Sequence, residues 1–254
     1  MVKYNVAIPS YRRLDVLEKK TLKTLSAGGV PKSAITIFLY DDVDFLEYSK
    51  KLKGYKIIKT GIEDLAKRLN YISEYYAKGD YVILCEDDIR GLMKLKDAKK
   101  LEELNDIDGF FKGAYNHLNQ NKCYLWGVSP SDNPYFMKKE ITTDFKFIIG
   151  VLFGYINRKT KDLDVDISYR QDFQRSILYW IKDKKILRFN GITFKTTYRA
   201  KGGLGKLAEG RVEKERLASE ELINRFPQYI RLNKRRNKNG GSEVQIVKPK
   251  KNKK

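Results

Sequence analysis

Three acidic residues in a row, Glu86-Asp87-Asp88, directly follow the apolar run Tyr81–Cys85. An apolar run of this length predicts a buried strand, which would fix the carboxylates at the end of a rigid element. Mg²⁺ and Mn²⁺ prefer oxygen ligands and keep several waters, so one or two carboxylates beside diphosphate oxygens can bind them. Glu86 and Asp88 point the same way on an extended chain and can share one ion. The triplet predicts a divalent-metal site, with helix capping or a solvated surface as the alternative.

Two earlier strand-like runs also end in polar residues. The run Val6-Ala7-Ile8 leads into the loop Pro9–Arg13, and the run Ile35–Tyr40 ends on Asp41-Asp42. The elements expected in this half are strands over 6–8, 35–40, 55–58 and 81–85 and helices over 14–25 and 62–76. Their alternation predicts an α/β fold with a mostly parallel central sheet flanked by helices. Because ligands bind beyond the carboxyl ends of such strands, we expect these polar segments to converge on one crevice.

The second half of the chain has less regular patterns. Residues 92–119 are charged and predicted to be helical, and a polar, proline-bearing loop spans 129–139. Further expected elements are one or two strands within 145–156, a strand over 186–194, and helices over 173–181 and 207–225. Beyond Arg231 the only acid is Glu243, and residues 248–254 are expected to be disordered.

Composition narrows the classes of partner. Among 254 residues there are 52 Lys and Arg against 32 Asp and Glu, a formal net charge of +20. Such a chain attracts polyanions, and we take nucleic acid as the first candidate, ahead of anionic membranes and of nucleotides alone. Two cysteines, Cys85 and Cys123, predict no disulfide framework. No apolar segment has the length of a signal peptide or a membrane span, so we expect a cytoplasmic protein without membrane partners.

These motifs, in their order, resemble the nucleotide-sugar glycosyltransferases of GT-A fold. In that group an opening strand ends in a proline-bearing loop, a second strand ends in Asp, a helix carries an Ala-Arg-Asn-like patch, and a further strand ends in a DxD-type triplet. The matching segments here are Ile8–Arg13, Tyr40–Asp42, Ala66 with Arg68 and Asn70, and Glu86–Asp88. Glu86 in place of the first Asp departs from the pattern.

The resemblance implies a Rossmann-like GT-A domain with a UDP-sugar as donor and Mn²⁺ or Mg²⁺ as cofactor. It places the donor at Pro9, Ser10, Tyr11, Arg12, Asp41 or Asp42, Arg68 and Asp87, and the metal ion at Asp88 and Glu86. We divide the chain into this domain over 1–205, a helical extension over 206–230, and a basic, flexible tail over 231–254. Water is expected to complete the metal shell, because the only histidine, His117, lies in a predicted helix.

A narrower resemblance is to the TET/JBP-associated glycosyltransferase family of phages and eukaryotic viruses, whose members are thought to sugar-modify hydroxymethylated pyrimidines in DNA. The segments that carry it are Ile8–Arg13, Leu84–Ile89, Asp164–Ser176 and Lys201–Leu204. It implies that the hydroxymethyl group of a modified pyrimidine, in double-stranded DNA, is the acceptor.

An inverting transfer needs a carboxylate that takes the proton of the acceptor hydroxyl. Inverting relatives carry an acidic pair at a helix start, which here corresponds to the region of Asp172; we therefore expect Asp172 to be the base, with Asp166 as the second candidate. An ordinary helix cap is the alternative for either residue, and a retaining mechanism would remove the need for this base.

Cationic residues complete the expected site. Arg199, Lys201 and the pair Gly202-Gly203 could close over the diphosphate, since glycine permits close backbone approach; a turn without a catalytic role is the alternative. The acceptor is expected at Lys138 and Lys139 beside Tyr135 and Phe136, with core packing favoured for Tyr124 and Trp126. The tail would add Arg231, Lys234, Arg235 and Arg236.

We therefore predict a metal-dependent hexosyltransferase that acts on hydroxymethylpyrimidines in DNA. One alternative is a glycosyltransferase with a protein or glycan acceptor. Another is a nucleic-acid-binding protein on the same scaffold without transfer activity.

Overall fold

The computed structural model describes residues 2–196, 210–235 and 243–249. Its first half alternates strands and helices as expected. In chain order the elements are β1 (Asn5–Pro9), α1 (Leu14–Leu17), a π-helical turn (Glu18–Leu22), α2 (Lys23–Ala27), β2 (Ile35–Leu39), α3 (Asp42–Lys51), β3 (Lys56–Lys59), α4 (Leu65–Tyr75) and β4 (Tyr81–Cys85). The predicted strands all occur, and α3 is an additional helix that the sequence patterns did not indicate.

The second half contributes the remaining strands and the longest helices. Its elements are β5 (Gly91–Asp97), β6 (Lys100–Glu103), α5 (Ile107–Asn121), β7 (Leu125–Val128), β8 (Ile141–Thr142), β9 (Leu152–Ile156), α6 (Gln171–Asp183), β10 (Leu187–Phe189), β11 (Ile192–Lys195), α7 (Arg211–Arg225), β12 (Ile230–Leu232) and β13 (Val244–Ile246).

Eight of these strands form the central sheet, in the order β3-β2-β1-β4-β9-β7-β10-β8. Strands β1 to β4 are mutually parallel, whereas β9 runs antiparallel to both of its neighbours, β4 and β7. Strand β10 is parallel to β7, and β8 is antiparallel to β10. The prediction of a mostly parallel sheet flanked by helices is confirmed. The carboxyl ends of β1, β2, β4, β7 and β10 share one edge with the amino end of β9.

Helices cover both faces of this sheet. One core contains Leu17 of α1, Leu25 of α2, Tyr48 of α3 and Phe111 of α5. The other contains Ile72 of α4, Ile177 of α6, Leu222 of α7, and Ile230 and Val244 of the β12–β13 hairpin. The residues at the start of the basic tail are therefore part of the folded body, since Ile230 and Val244 are almost fully buried. Within the described ranges, no helix is both long enough and apolar enough to cross a bilayer.

The helical prediction for residues 92–119 is wrong over its first part. Leu92, Met93 and Leu95 are buried in β5, which pairs antiparallel with β6 and with β11. The segment is rich in Leu and Lys, which favour helix intrinsically, but pairing with two neighbouring strands overrides that preference. The three strands form a small separate sheet beside the acidic triplet.

Two other strand predictions need correction. The stretch 186–194 is broken at Asn190-Gly191 into β10, which belongs to the large sheet, and β11, which belongs to the small one. Of 145–156 only the end, β9, is a strand, and residues 145–151 approach the shared sheet edge without strand pairing.

Strand β9 depends on a glycine. A Cβ at Gly154 would lie 2.3 Å from Nε1 of Trp126, which is fully buried on the paired strand β7. We expect Gly154→Ala to lower the free energy of unfolding by about 1–3 kcal/mol because the core must shift to accept the methyl group. Gly113→Ala in α5 is the matched control, since nothing lies within 4 Å of its added Cβ, and it should stabilise by up to about 1 kcal/mol. Urea denaturation measures both; equal stabilities would contradict this packing.

Candidate active site

The acidic triplet forms a turn at the carboxyl end of β4, and Arg13 binds two of its members. Arg13 Nη1 lies 2.9 Å from Asp87 Oδ1, and Arg13 Nη2 donates to Asp88 Oδ2, also at 2.9 Å. The hydroxyl of Ser10 donates to Asp87 Oδ2 at 2.7 Å, and that of Thr196 donates to Asp88 Oδ1 at 2.6 Å. The loop after β1 and the residue after β11 therefore meet at the acidic turn.

The acids of this turn differ in how far they are buried, and burial changes their pKa values. Asp87 is almost fully buried, and this loss of solvation raises its pKa to about 6 although Arg13 and Ser10 act in the opposite direction. Glu86 is the exposed member of the triplet. Lost solvation and the charges of Asp88, Asp87 and Asp172 raise the pKa of Glu86. Glu86 is thus the carboxylate free to face a ligand.

Asp172 lies at the same edge of the sheet, in the first turn of α6. It is half-buried, and its Oδ1 accepts a hydrogen bond from the backbone N–H of Phe173 at 2.9 Å. A Cβ at Gly150 would lie 3.6 Å from Asp172 Cβ, and the backbone N–H of Glu86 donates to the next residue, Val151. Burial raises the pKa of Asp172, with Arg175 opposing the rise. The two acids predicted for metal and base are therefore electrostatic neighbours.

Asp166, the second candidate base, has a different environment. It is exposed, and its Oδ1 accepts hydrogen bonds from Arg225 of α7 at 2.9 Å and from Gln174 of α6 at 2.5 Å. Partial burial raises the pKa of Asp166, but these hydrogen bonds lower it overall. Its carboxylate thus links the loop before α6 to helices α6 and α7. This structural contact explains why an acid stands at this position.

The loop after β1 also contacts the start of α3. Asp41 caps that helix by accepting from the N–H of Asp44, and it pairs with Arg12 at 2.7 Å. Arg12 has a left-handed backbone, with φ of 53°, and its N–H donates to the fully buried Asp44 at 2.9 Å. Asp42 instead lies at the surface, paired with Lys59. Asp41 is therefore part of the site loop, whereas Asp42 is not joined to it by these contacts.

Tyr11 and Tyr40 form an aromatic pair at the carboxyl ends of β1 and β2. Their ring centroids are 6.1 Å apart, and the Arg12 guanidinium lies 5.5 Å from the Tyr11 ring centroid. Both rings are partly exposed. Beside Pro9, which ends β1, they offer a surface on which a planar base can stack.

Arg68 and Asn70, both on α4, hold loops in place. Arg68 is almost fully buried and donates to the carbonyls of Ile62 and Glu63, with a longer contact of 3.5 Å to that of Ser10. Asn70 forms two hydrogen bonds with the backbone of Val165, at 2.8 and 3.0 Å. The Ala-Arg-Asn-like patch thus contacts the backbone of the loop that carries Ser10 and of the segment that carries Val165. Arg68 itself does not lie at the surface.

The aromatic residues expected at the acceptor side fall into two groups. Tyr135 and Phe136 are 82% and 70% exposed, on a loop that begins at the carboxyl end of β7, and Lys138 and Lys139 beside them are exposed. Trp126 is fully buried, as expected from core packing. The same expectation is wrong for Tyr124, which is 37% exposed and lies under the Arg158 guanidinium, 4.2 Å from its ring centroid. His117 packs edge-on against Phe189 in the core region of α5.

Basic residues of the tail lie on the β12–β13 hairpin or just after it. Arg231, Lys234 and Arg235 are exposed there. The hairpin is held to the body by Tyr229, whose ring is 5.7 Å from that of Phe145, and by the ion pair of Lys248 with Asp144. Arg199, Lys201, Gly202, Gly203 and Arg236 lie outside the described residues.

The carboxylates of Glu86 and Asp88 fit a hard divalent ion that takes its remaining ligands from a bound diphosphate and from water. In the described part of the chain no three His, Cys, Asp or Glu side chains gather as a metal-binding group. Glu86 is exposed and Asp88 keeps acceptor capacity beside Arg13 and Thr196, so two carboxylates are available. Two are sufficient for Mg²⁺ or Mn²⁺ when diphosphate oxygens and water supply the rest.

Three site residues carried no specific role in the sequence analysis: Arg13, Asp44 and Thr196. Each contacts its partner across more than thirty residues of chain. Arg13 had a signal, because it belongs to the Pro9–Arg13 loop that was expected in the crevice. Asp44 and Thr196 had none, since a lone Asp in a helix and a lone Thr after a strand are common.

The acid cluster should make stability depend on pH. Since the pKa of folded Asp87 is about 6 and its ordinary value is 3.8, the folded protein binds more protons than the unfolded chain between those values. The free energy of unfolding should therefore fall as pH rises from about 4 to about 6, by about 2 kcal/mol. Asp87→Asn should flatten this slope without abolishing it, because the pKa values of Glu86 and Asp172 are also raised.

Chemical denaturation across this pH range tests the effect. The control is Asp162→Asn, because Lys182 lowers the pKa of that exposed acid and its titration falls below the window. A wild-type slope no steeper than that of Asp87→Asn across this window would contradict the assignment.

Comparison with known proteins gives no further constraint on the site. Neither the protein-family models nor the curated proteins searched contain a match to this chain.

Proposed function

We propose that this chain is a metal-dependent glycosyltransferase of GT-A type that transfers a hexose from a UDP-sugar to the hydroxymethyl group of a modified pyrimidine in DNA. The observation that carries the proposal is the network at the sheet edge, where Arg13 binds Asp87 and Asp88, Ser10 binds Asp87, and Asp172 lies near enough to Glu86 for its charge to raise the Glu86 pKa. These residues come from the motifs on which the resemblance rests. A reducing, cytoplasm-like compartment fits, since Cys85 and Cys123 are both buried free thiols.

The donor would bind across the ends of β1, β2 and β4. Tyr11 and Tyr40 would stack on the uracil, with Arg12 and Asp41 beside them. Glu86 and Asp88 would hold the metal ion, which supplies positive charge for the departing diphosphate when bound. Arg13 already bridges Asp87 and Asp88, and its cationic head keeps this pair of acids from repelling an anionic ligand.

Asp172 would act as the base. A carboxylate with a raised pKa binds a proton more readily than an ordinary one, which suits it to take the proton of the acceptor hydroxyl. The hydroxyl oxygen then forms a bond to the anomeric carbon. The bond from that carbon to the diphosphate oxygen breaks, and its electron pair leaves with UDP.

DNA would approach over the basic side of the same edge. The loop that carries Tyr135, Phe136, Lys138 and Lys139 begins at the carboxyl end of β7. The tail hairpin packs on the segment that leads from Phe145 to Gly150, which lies beside Asp172. Exposed aromatic rings can stack on a displaced base, and exposed cations can bind its flanking phosphates.

Sugar transfer itself is the first test. Purified protein is incubated with UDP-sugars, Mn²⁺ or Mg²⁺, and DNA containing 5-hydroxymethylcytosine or 5-hydroxymethyluracil, and the digested nucleosides are analysed by mass spectrometry. We expect a hexose-mass increase that Asp88→Asn and Asp172→Asn each reduce by about 10² to 10⁴-fold. Asp162→Asn, the same change at an exposed acid paired with Lys182, should retain activity.

The other outcomes distinguish the alternatives. Hydrolysis of the UDP-sugar without labelling of DNA would favour a protein or glycan acceptor. DNA binding without either reaction, under all donor and metal conditions, would contradict transfer activity and favour a binding protein.

The acceptor loop gives a separate prediction. Tyr135→Ala with Phe136→Ala should raise the KM for DNA by about tenfold or more, because base stacking contributes about 1–3 kcal/mol per base. Lys138→Gln with Lys139→Gln should weaken binding to any DNA sequence and reduce the slope of log K against log salt by up to about two. Lys182→Gln, at the far end of α6 from Asp172, is the control. Unchanged KM and salt slope would place the acceptor elsewhere.

A further inference from the structure

The first helical segment, Leu14–Ala27, is interrupted by the π-helical turn Glu18–Leu22. Thr21 lies inside this turn and is fully buried. Single π turns within α-helices occur frequently at functional sites. This turn faces the acidic turn that follows β4, and Thr21 is the residue that makes the contact.

The Thr21 hydroxyl uses both its donor and its acceptor on the acidic turn. It donates to the backbone carbonyl of Glu86 at 2.8 Å and accepts from the backbone N–H of Ile89 at 2.9 Å. The carbonyl of residue i and the N–H of residue i+3 are the two groups that ordinarily bond each other in a β-turn. Here the side-chain hydroxyl takes the position between them. Thr24, one turn later, adds a longer bond of 3.2 Å to the Ile89 carbonyl.

Insertion of the hydroxyl sets the width of the turn. Two hydrogen bonds in series hold the Glu86 oxygen and the Ile89 nitrogen about 4–5 Å apart, against about 3 Å for a direct bond. Between these two anchors lie Asp87 and Asp88, and Glu86 is itself the first anchor. The relative positions of the Glu86 and Asp88 carboxylates therefore depend on a side chain that touches neither carboxylate.

We propose that Thr21 is a positioning residue, which holds the acidic turn open at the spacing that a divalent ion requires. This inference rests on the proposed function, in that Glu86 and Asp88 are the metal ligands. Loss of the hydroxyl would leave the Glu86 carbonyl and the Ile89 amide to bond each other or stay unpaired. Either change would move the two carboxylates relative to one another.

Three variants test the role. Thr21→Val removes the hydroxyl and keeps the shape, Thr21→Ser keeps the hydroxyl, and Thr24→Val removes the weaker contact. Mn²⁺ affinity is measured by electron paramagnetic resonance in the presence of UDP and without acceptor, because diphosphate oxygens are expected to supply part of the metal shell. We expect Thr21→Val to weaken Mn²⁺ binding about tenfold or more, and Thr21→Ser and Thr24→Val to stay within about threefold of wild type.

Amide hydrogen exchange at Ile89 gives a readout without metal. Exchange should be faster in Thr21→Val than in Thr21→Ser if the hydroxyl protects this amide. Gly154→Ala, whose added methyl group would meet Trp126 and not the acidic turn, controls for destabilisation and should keep wild-type Mn²⁺ affinity. If Thr21→Val does not fold, Thr21→Ser and Thr21→Cys replace it, since the thiol is a poorer donor and should bind Mn²⁺ less tightly than the serine variant.

Wild-type Mn²⁺ affinity in Thr21→Val would overturn the proposal, as would a wild-type protein that binds no Mn²⁺ at millimolar concentration in the presence of UDP. Failure of the proposed function is a different result: wild type would bind Mn²⁺ yet transfer no sugar, and the Thr21 variants would still be judged on Mn²⁺ affinity alone.

Discussion

The salt bridges of Arg13 with Asp87 and Asp88 are the contact on which the site depends. The turn after β4 places three carboxylates in sequence, two of them almost fully buried, beside a fourth at Asp172. Buried carboxylates repel one another and lose solvation, so such a turn is unstable without a cation. Arg13 supplies one charge to two acids, at 2.9 Å from each. The guanidinium suits this task because its planar fork presents several donors at once.

This pair of contacts also explains the path of the chain around the site. Arg13 can reach the acids only if the loop after β1 turns back over the end of β4, and several contacts hold it there. Arg12 adopts a left-handed backbone and its N–H binds Asp44; the N–H of Arg13 donates to the Tyr48 hydroxyl at 2.9 Å. Helix α3 therefore serves as a support for the loop as well as a cover for the sheet.

Sequence patterns could predict the elements in which burial alone determines the residue types. Strands β1, β2 and β4 are short apolar runs bounded by polar residues, and all three lie close to the predicted positions. Residues 91–103 escaped prediction because β5 pairs with β11, about a hundred residues later in the chain, and β6 pairs in turn with β5. The acidic turn could also be predicted from the local sequence, because three consecutive acids directly after an apolar run are unusual.

The contacts that complete the site were not predictable in the same way. Thr21, Asp44 and Thr196 are common residue types in unremarkable sequence surroundings, and their roles arise only when distant segments pack together. Asp166 shows the reverse case, in which a plausible chemical candidate is engaged by Arg225 and Gln174. Residue type and position before a helix could not separate Asp166 from Asp172.

The overall charge of the chain and its acid cluster have to be considered together. A protein of net charge +20 attracts anions over most of its surface, so a negative site within it is at first sight a disadvantage for a nucleotide ligand. A divalent ion at Glu86 and Asp88 would reverse the sign of that site locally, and only there. The positive surface could then bring both a nucleotide and a polyanionic acceptor to the protein, while the ion, and not the general charge, decides where the diphosphate lies. In the proposed function the acids would thus provide a position that the net positive charge of the chain alone does not specify.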